Sequence, residues 1–235
     1  MKNIIIASTS TLHNGQYLDY LLPEIQLFFG HCSEIIFIPY ARPSGISHDD
    51  YTKKVAQVFG KISIAVKGIH EFKNPIEAIE KAQGIFTGGG NTFLLVSQLY
   101  ENNLVETLKK AVLNGTPYIG TSAGSNICGV TMSTTNDMPI VYPPSFTTLG
   151  WVPFNINPHY LDPVEGSTHM GETRETRILE FLQLNAEPVI GLREGSWLEV
   201  KGDSIILKGA LTARVFKRNE TPYEVTPETE LKDFK

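Results

Sequence analysis

The sequence has few cysteines. Cys32 and Cys128 are the only two among 235 residues, and neither belongs to a Cys-x-x-Cys pair or to any spacing typical of metal ligands. This pattern is not that of a disulfide scaffold or a zinc module. We expect two buried, reduced thiols, and no metal ion or other cofactor.

The sequence also lacks a long apolar run and a block of like charges. The isoleucine run at 4–6 is too short for the core of a signal peptide, and no stretch approaches the ~20 apolar residues of a membrane span. Lys and Arg are scattered, and the net charge is -5, which argues against a nucleic-acid surface. We expect a cytoplasmic monomer or homodimer with neither nucleic-acid nor membrane partners.

The composition is that of a folded protein, because 41% of the residues are hydrophobic and only 19% are charged. A chain of this length can bury a sizeable core. There is no internal repeat, low-complexity segment or linker. We therefore expect a single domain over residues 1–235.

Short β-branched runs bounded by glycine or proline predict buried parallel strands. They lie at residues 3–8, 34–39, 62–66, 84–88 and 117–121. Helical spacing lies between them, as at 17–28, and Asn74 with Pro75 reads as the start of a helix. This alternation predicts an α/β fold with a mostly parallel, doubly wound sheet and helices on both faces.

The second half of the chain has a different pattern. Five prolines at 138–158 indicate a loop with short strands, and the spacing of apolar residues at 172–184 predicts an amphipathic helix. Antiparallel strands are expected after it, as an added edge of the same sheet. They are predicted at 189–192, 197–200, 204–207 and 212–216.

The sharpest local signal is the Gly-Thr-Ser-Ala-Gly run at 120–124. A predicted strand enters Ser122 and a small-residue helix follows from Ala123, as a nucleophile held on a sharp strand-to-helix turn requires. Gly120 and Gly124 avoid a Cβ clash there, and the N–H of Ala123 is free to meet an oxyanion. The alternative is a glycine-rich turn whose serine only caps the helix.

A second glycine-rich turn, Gly-Gly-Gly-Asn-Thr at 88–92, follows the strand predicted at 84–88. It lacks the lysine of a phosphate-binding loop. Since ligands sit at the carboxyl ends of parallel strands, the N–H groups of Gly89 and Gly90 are candidates for the second half of an oxyanion hole. A tight turn without a ligand is the alternative.

A nucleophilic serine needs a histidine base and a carboxylate that orients it. His159 is the best candidate base, because Pro158 fixes the chain direction just before it. The four histidines before Ser122 lie in polar or loop-like contexts that predict solvated side chains, and His169 is expected on the surface. Glu194, at a strand end, and Asp137, just beyond the serine, both remain candidates for the carboxylate.

Five motifs in order resemble the peptidase E family of α-aspartyl dipeptidases, which is related to cyanophycinase. They are Gly-Gly-Gly-Asn-Thr-Phe at 88–93, Gly-Thr-Ser-Ala-Gly-Ser-Asn at 120–126, Asn-Pro-His at 157–159, Gly-Glu-Thr-Arg at 171–174 and Glu-Gly at 194–195. The resemblance covers nearly the whole chain. It implies a fold like that of the class I glutamine amidotransferases, with serine in place of their cysteine.

The resemblance also implies a catalytic triad of Ser122, His159 and Glu194, with Asp137 as the competing third member. It implies that Arg174 reads the side-chain carboxylate of the substrate. The expected enzyme is a serine dipeptidase that hydrolyses short peptides with an N-terminal aspartate through an aspartyl-enzyme intermediate. The alternatives are a cyanophycinase-like hydrolase of aspartyl-arginine peptides and a non-enzymatic binding module of the same fold.

Overall fold

The computed structural model describes residues 1–163, 166, 168, 170–232 and 234. The strands within them are β1 (Asn3–Ala7), β2 (Glu34–Ile38), β3 (Ala65–Gly68), β4 (Ile85–Thr87), β5 (Tyr118–Thr121), β6 (Asn155–Pro158), β7 (Val189–Leu192), β8 (Ser196–Lys201), β9 (Ser204–Gly209), β10 (Ala213–Phe216) and β11 (Tyr223–Val225). The α-helices are α1 (Leu22–Phe28), α2 (His48–Gly60), α3 (Pro75–Glu80), α4 (Thr92–Glu101), α5 (Val105–Leu113), α6 (Ala123–Asn126) and α7 (Arg174–Leu184).

The central sheet has the strand order β3-β2-β4-β5-β1-β8-β9. The first five strands in that order run parallel, and β8 and β9 extend the sheet in antiparallel fashion. This confirms the predicted α/β fold, with a mostly parallel sheet and antiparallel strands from the C-terminal part of the chain.

Successive residues of β1 point to opposite faces of this sheet, as strand geometry requires. Ile4 and Ile6 belong to a core that also contains side chains of α3, α4 and α5. Ile5 and Ala7 belong to the core formed with α1 and α2. The sheet is therefore covered by helices on both faces, as predicted, which explains why its strands read as continuous apolar runs.

A second sheet has the order β11-β10-β7-β6. The prediction that the whole C-terminal tail forms an added edge of the first sheet is correct for β8 and β9 and wrong for β7 and β10. β7 pairs in parallel with β6 and antiparallel with β10. Its long-range partner β6 lies in the proline-rich segment, so no local pattern revealed the pairing.

Two predicted boundaries also shift. The last turn of α2 continues through hydrogen bonds of Ile62 and Ser63 to Phe59 and Gly60, so β3 begins at Ala65 rather than at residue 62. The hydroxyl of Thr173 accepts from the N–H of Thr176 and caps α7, which therefore begins at Arg174 rather than at residue 172.

The predicted helix start at Asn74 is confirmed, with its side chain accepting from Glu77 N and Pro75 in the first turn. Among the described residues, no helix combines the length and apolar character needed to cross a bilayer.

Candidate active site

Ser122 lies between the last residue of β5 and the first residue of α6. Its φ of 54° and ψ of −110° fall in a region that L-residues rarely adopt, a strain of roughly 1–3 kcal/mol. Its N–H donates to the carbonyl oxygen of Ala7 at 3.2 Å. The predicted strand–serine–helix turn is therefore present, with a backbone held in a strained conformation.

The two glycines of the turn have no room for a side chain. A Cβ on Gly120 would overlap the carbonyl group of Gly124, and a Cβ on Gly124 would overlap the carbonyl group of Thr87. The turn therefore packs closely against β4 and β5. The hydroxyl of Ser125 is fully buried, lies 2.6 Å from Ala7 O and 2.7 Å from Gly120 O, and connects α6 to β1 and β5.

His159 follows the last residue of β6 and lies between the serine and a carboxylate. Its Nε2 is 2.9 Å from Ser122 Oγ, and its Nδ1 is 2.6 Å from Glu194 Oε1. When Nδ1–H donates to the carboxylate, Nε2 is left to accept the serine proton. The geometry forms one chain of hydrogen bonds, Glu194–His159–Ser122, across the two sheets.

Ser8 connects those sheets at the site. It follows β1, and its hydroxyl donates to Leu192 O at 2.7 Å and accepts from the N–H of His159 at 2.9 Å. Leu192 ends β7, two residues before Glu194. The single hydroxyl therefore holds both segments that carry the histidine and the glutamate. Ser8 could not be identified from the sequence, because nothing in its local pattern distinguishes it from an ordinary strand-end serine.

Asp137 lies at the N-terminus of α4 and not at the imidazole. Its Oδ2 accepts from the N–H and the hydroxyl of Thr92, each at 2.7 Å, and from the hydroxyl of Thr135 at 3.0 Å. A carboxylate at this position satisfies a backbone N–H that a helix leaves unpaired. The two candidate acids thus contact different elements: Glu194 contacts His159, and Asp137 contacts α4.

The glycine-rich loop between β4 and α4 passes directly beside the serine. A Cβ on Gly89 would lie 2.9 Å from Ser122 Cβ, and Gly90 adopts a φ of 147° with no room for a Cβ against Ala41. The N–H groups of Gly89, Gly90 and Ala123 have no hydrogen-bond acceptor among the described residues. These are the donors that the sequence predicts for an oxyanion hole.

Tyr51 of α2 fixes the orientation of one peptide in this loop. It is buried, and its hydroxyl donates to Gly89 O at 3.2 Å. Because the peptide group is planar and trans, the N–H of Gly90 points away from Tyr51. The role of Tyr51 could not be identified from the sequence, since the residue lies 38 positions from Gly89 and its local pattern indicates only a core position of α2.

Arg174, the first residue of α7, borders a small cleft with Asn136, Asn157 and Arg177. It forms no hydrogen bond or ion pair within the described part of the chain. Burial and the neighbouring Arg177 lower the pKa of Arg174, and the charge of Asp137 opposes that shift. A guanidinium stays charged in proteins, so this partly buried cation is available to an anionic ligand.

No group of three or more His, Cys, Asp or Glu side chains among the described residues has the arrangement to hold a metal ion.

The predictions for the cysteines and for the other histidines differ in outcome. Both cysteines are buried free thiols, as expected. The prediction of a solvated side chain is wrong for His70, which is 18% exposed and pairs with Asp49 at 2.8 Å, because α2 packs over it. His169 lies outside the described residues.

The model of the family "Peptidase family S51" matches residues 4–208 of the chain. The chain is 48% identical to "Peptidase E" of Streptomyces coelicolor, over 99% of this chain and 94% of that protein. It is 42% identical to the "Probable alpha-aspartyl dipeptidase" of Drosophila melanogaster, over 98% of this chain and 96% of that protein. A solved peptidase from an acI-B1 Actinobacterium shares the fold, with a TM-score of 0.73 at 16% identity over 98% of this chain and 96% of that one. The chain belongs to peptidase family S51.

Proposed function

We propose that Ser122, His159 and Glu194 form the catalytic triad of this peptidase. Ser122 attacks the carbonyl carbon of the substrate's first peptide bond while His159 Nε2 takes its proton. Glu194 holds the imidazole in the required tautomer. His159 then protonates the leaving amine, and a water molecule activated by the same imidazole hydrolyses the acyl-enzyme. The observation that carries the proposal is the continuous chain of hydrogen bonds at 2.6 and 2.9 Å.

The oxyanion of the tetrahedral intermediate is stabilised by backbone N–H groups on both sides of Ser122. One is that of Ala123, and the other comes from Gly89 or Gly90. The hydrogen bond from Tyr51 to Gly89 O supports Gly90, because it turns that N–H away from the core. Each such donor contributes about 10²–10³ in kcat in a serine peptidase.

The chain is a serine dipeptidase acting on peptides with an N-terminal aspartate, and the name of one relative, "Probable alpha-aspartyl dipeptidase", supports this substrate. The aspartate side chain is read by Arg174, whose guanidinium has no partner among the described residues and can meet a carboxylate with two charge-assisted hydrogen bonds. A glutamate substrate places its carboxylate one methylene too far. An asparagine substrate sets an NH₂ against the donor fork and leaves polar groups unpaired.

We propose that the enzyme works in the cytoplasm, as a monomer or homodimer acting on small peptides. Its two free thiols support this compartment. The continuity of one apolar core, which contains residues of both sheets, supports a single domain over residues 1–235.

A panel of Asp-Leu, Glu-Leu, Asn-Leu and N-blocked Asp-Leu tests the activity. Only Asp-Leu should be cleaved efficiently. Hydrolysis of aspartyl–arginine polymer without hydrolysis of Asp-Leu would identify a cyanophycinase-like enzyme instead. Failure to cleave any peptide, together with failure of a fluorophosphonate to label Ser122, would leave a binding module.

The specificity assignment predicts the behaviour of Arg174 variants. Arg174→Ala should lower kcat/KM for Asp-Leu by ~10² or more, because the substrate carboxylate would be buried without its partner. Arg174→Lys should recover only part of this, since the charge remains but the planar fork is lost. Both variants should still label with the fluorophosphonate. An Arg174→Ala enzyme as active as the parent would move the assignment to Arg177.

A further inference from the structure

Arg193 occupies the position between β7 and Glu194, and all of its guanidinium nitrogens are used. Nε and Nη2 donate to the two carboxylate oxygens of Asp162 at 2.8 and 2.6 Å. Nη1 donates to the carbonyl and hydroxyl oxygens of Thr212 at 2.8 and 2.9 Å. Nη1 and Nη2 also contact the carboxylate of Glu224 at 2.9 and 3.0 Å. The side chain is 15% exposed.

These contacts reach the segment that carries His159. Asp162 lies three residues after the histidine. The Arg193 guanidinium also lies over the ring of Tyr160, 5.4 Å from its centroid, and Tyr160 directly follows His159. The N–H of Tyr160 donates to Leu192 O, which precedes Arg193. The Arg193 side chain, directly before Glu194, therefore contacts two residues that follow His159, namely Tyr160 and Asp162.

The same cluster is anchored to the outer strands of the second sheet. Thr212 precedes β10, and Glu224 lies in β11. Arg214 of β10 pairs with Glu224 at 3.3 Å and with Glu175 of α7 at 3.0 Å. An exposed, isolated ion pair contributes little. A largely buried guanidinium that is bound by two carboxylates, each through both of its oxygens, restrains its partners more strongly, because its planar donor groups fix the direction of every hydrogen bond.

We propose that Arg193 is a positioning residue, which holds the His159 segment and the Glu194 strand end at the separation that the imidazole–carboxylate hydrogen bond requires. The inference rests on the proposed function of the triad. Catalytic groups have to be held within about 0.5 Å of the productive geometry, and a misplacement of about 1 Å costs on the order of 10² in rate. Ser8 restrains the two segments through Leu192 O and the N–H of His159, and Arg193 restrains them through Asp162 and Tyr160.

The test compares Arg193→Ala, Arg193→Lys and Asp162→Asn with a matched control, Lys208→Ala. Lys208 also forms an ion pair, with Glu228 at 2.7 Å, on the edge strand β9. The readouts are kcat and KM for Asp-Leu, the fluorophosphonate labelling rate of Ser122, and the low-field proton resonance of the His159 Nδ1–H. Circular dichroism checks that each protein is folded.

Arg193→Ala should lower kcat by about 10- to 100-fold with little change in KM, because the loss lies in the alignment of reacting groups and not in substrate binding. The labelling rate should fall in parallel, and the low-field resonance should broaden or disappear. Arg193→Lys should restore part of the activity, Asp162→Asn should give a smaller loss in the same direction, and Lys208→Ala should match the parent.

A folded Arg193→Ala protein with the parent's kcat and resonance overturns the proposal, and so does a change in KM alone with the resonance intact. If Arg193→Ala does not fold, Arg193→Lys and Asp162→Asn decide by the same criteria. If the parent cleaves no aspartyl peptide, the proposed function fails. The effect of the variants on the resonance then still decides whether Arg193 positions His159 and Glu194.

Discussion

At the scale of single residues, the two acids near the serine differ in what they touch. Glu194 accepts a hydrogen bond from the imidazole at 2.6 Å, whereas Asp137 accepts from Thr92 and Thr135 around the start of α4. The first contact selects the tautomer of His159. The second stabilises the end of the loop that carries Gly89 and Gly90.

This difference predicts the ranking of two isosteric variants. Glu194→Gln should lower kcat by ~10⁴, as in other triads in which an amide stabilises the wrong tautomer. Asp137→Asn should cost far less, because the amide oxygen still accepts from the N–H of Thr92. Steady-state kinetics on Asp-Leu, with both proteins shown to be folded, measures the ranking. The reverse order would assign the orienting carboxylate to Asp137.

The residues to which we assign the chemistry are visible in the sequence, whereas those that hold them in place are not. Ser122 and His159 stand in patterns with a mechanical meaning, and Arg174 was indicated by the family resemblance alone. Tyr51, Ser8 and Arg193 have no such motif, because their role depends on partners that are distant in the sequence. The choice between Glu194 and Asp137 stayed open for the same reason, since it depends on which strand end faces the imidazole.

At the scale of elements, the β5–Ser122–α6 turn is limited by space. A Cβ on Gly124 would overlap the carbonyl group of Thr87, whereas a Cβ on Gly60 in the last turn of α2 would meet no atom of the described residues within 4 Å. The two glycines both lie in helices and form a matched pair for substitution.

Gly124→Ala should therefore destabilise the protein by about 1–3 kcal/mol through overpacking and displace Ser122. Gly60→Ala should stabilise it by about 0.4–1 kcal/mol, because alanine loses less conformational freedom on folding. Urea denaturation gives both free energies of unfolding. Equal effects of the two substitutions would show that the turn has more room than its contacts indicate.

The elements themselves were predictable wherever the pattern was local. The apolar runs that form β1, β2, β4 and β5 are buried on both faces of the sheet. The Asn74 cap is a hydrogen bond between a side chain and the first turn of the helix that follows it. The second sheet was not predictable, because β6 and β7 are far apart in the sequence and pair only in the folded structure. The delayed start of β3 reflects the extra turn of α2, which has no sequence signal of its own.

At the scale of the whole molecule, the site lies where the carboxyl ends of two pairs of parallel strands meet. β4 and β5 of the first sheet supply the glycine-rich loop and Ser122. β6 and β7 of the second supply His159 and Glu194. The geometry of the site therefore depends on how the two sheets are joined, which Ser8 does through Leu192 O and the N–H of His159. It also depends on how the segments that follow β6 and β7 are held together, which is the place of the charged cluster around Arg193.

This cluster predicts a pH-dependent contribution to stability. The hydrogen bonds from Arg193 lower the pKa of Asp162 below its ordinary value of 3.8. A carboxyl whose folded pKa is lowered stabilises the fold above its unfolded pKa, and this contribution disappears as the pH falls through the folded value. Asp162→Asn should thus be less stable than the parent at pH 7, with a difference that shrinks below about pH 4. Thermal melts over this range measure it, and a difference independent of pH would contradict the assignment.

The central claim, that this S51 peptidase uses Ser122 as its nucleophile, is tested most directly by the hydrolysis of Asp-Leu by Ser122→Ala. Alanine fits the same turn, so the fold should be retained, as circular dichroism and the melting temperature will show. The account predicts a loss in kcat of about 10⁴ to 10⁶, with the variant still binding the dipeptide. A folded Ser122→Ala protein that hydrolyses Asp-Leu at a substantial fraction of the parent rate would contradict it.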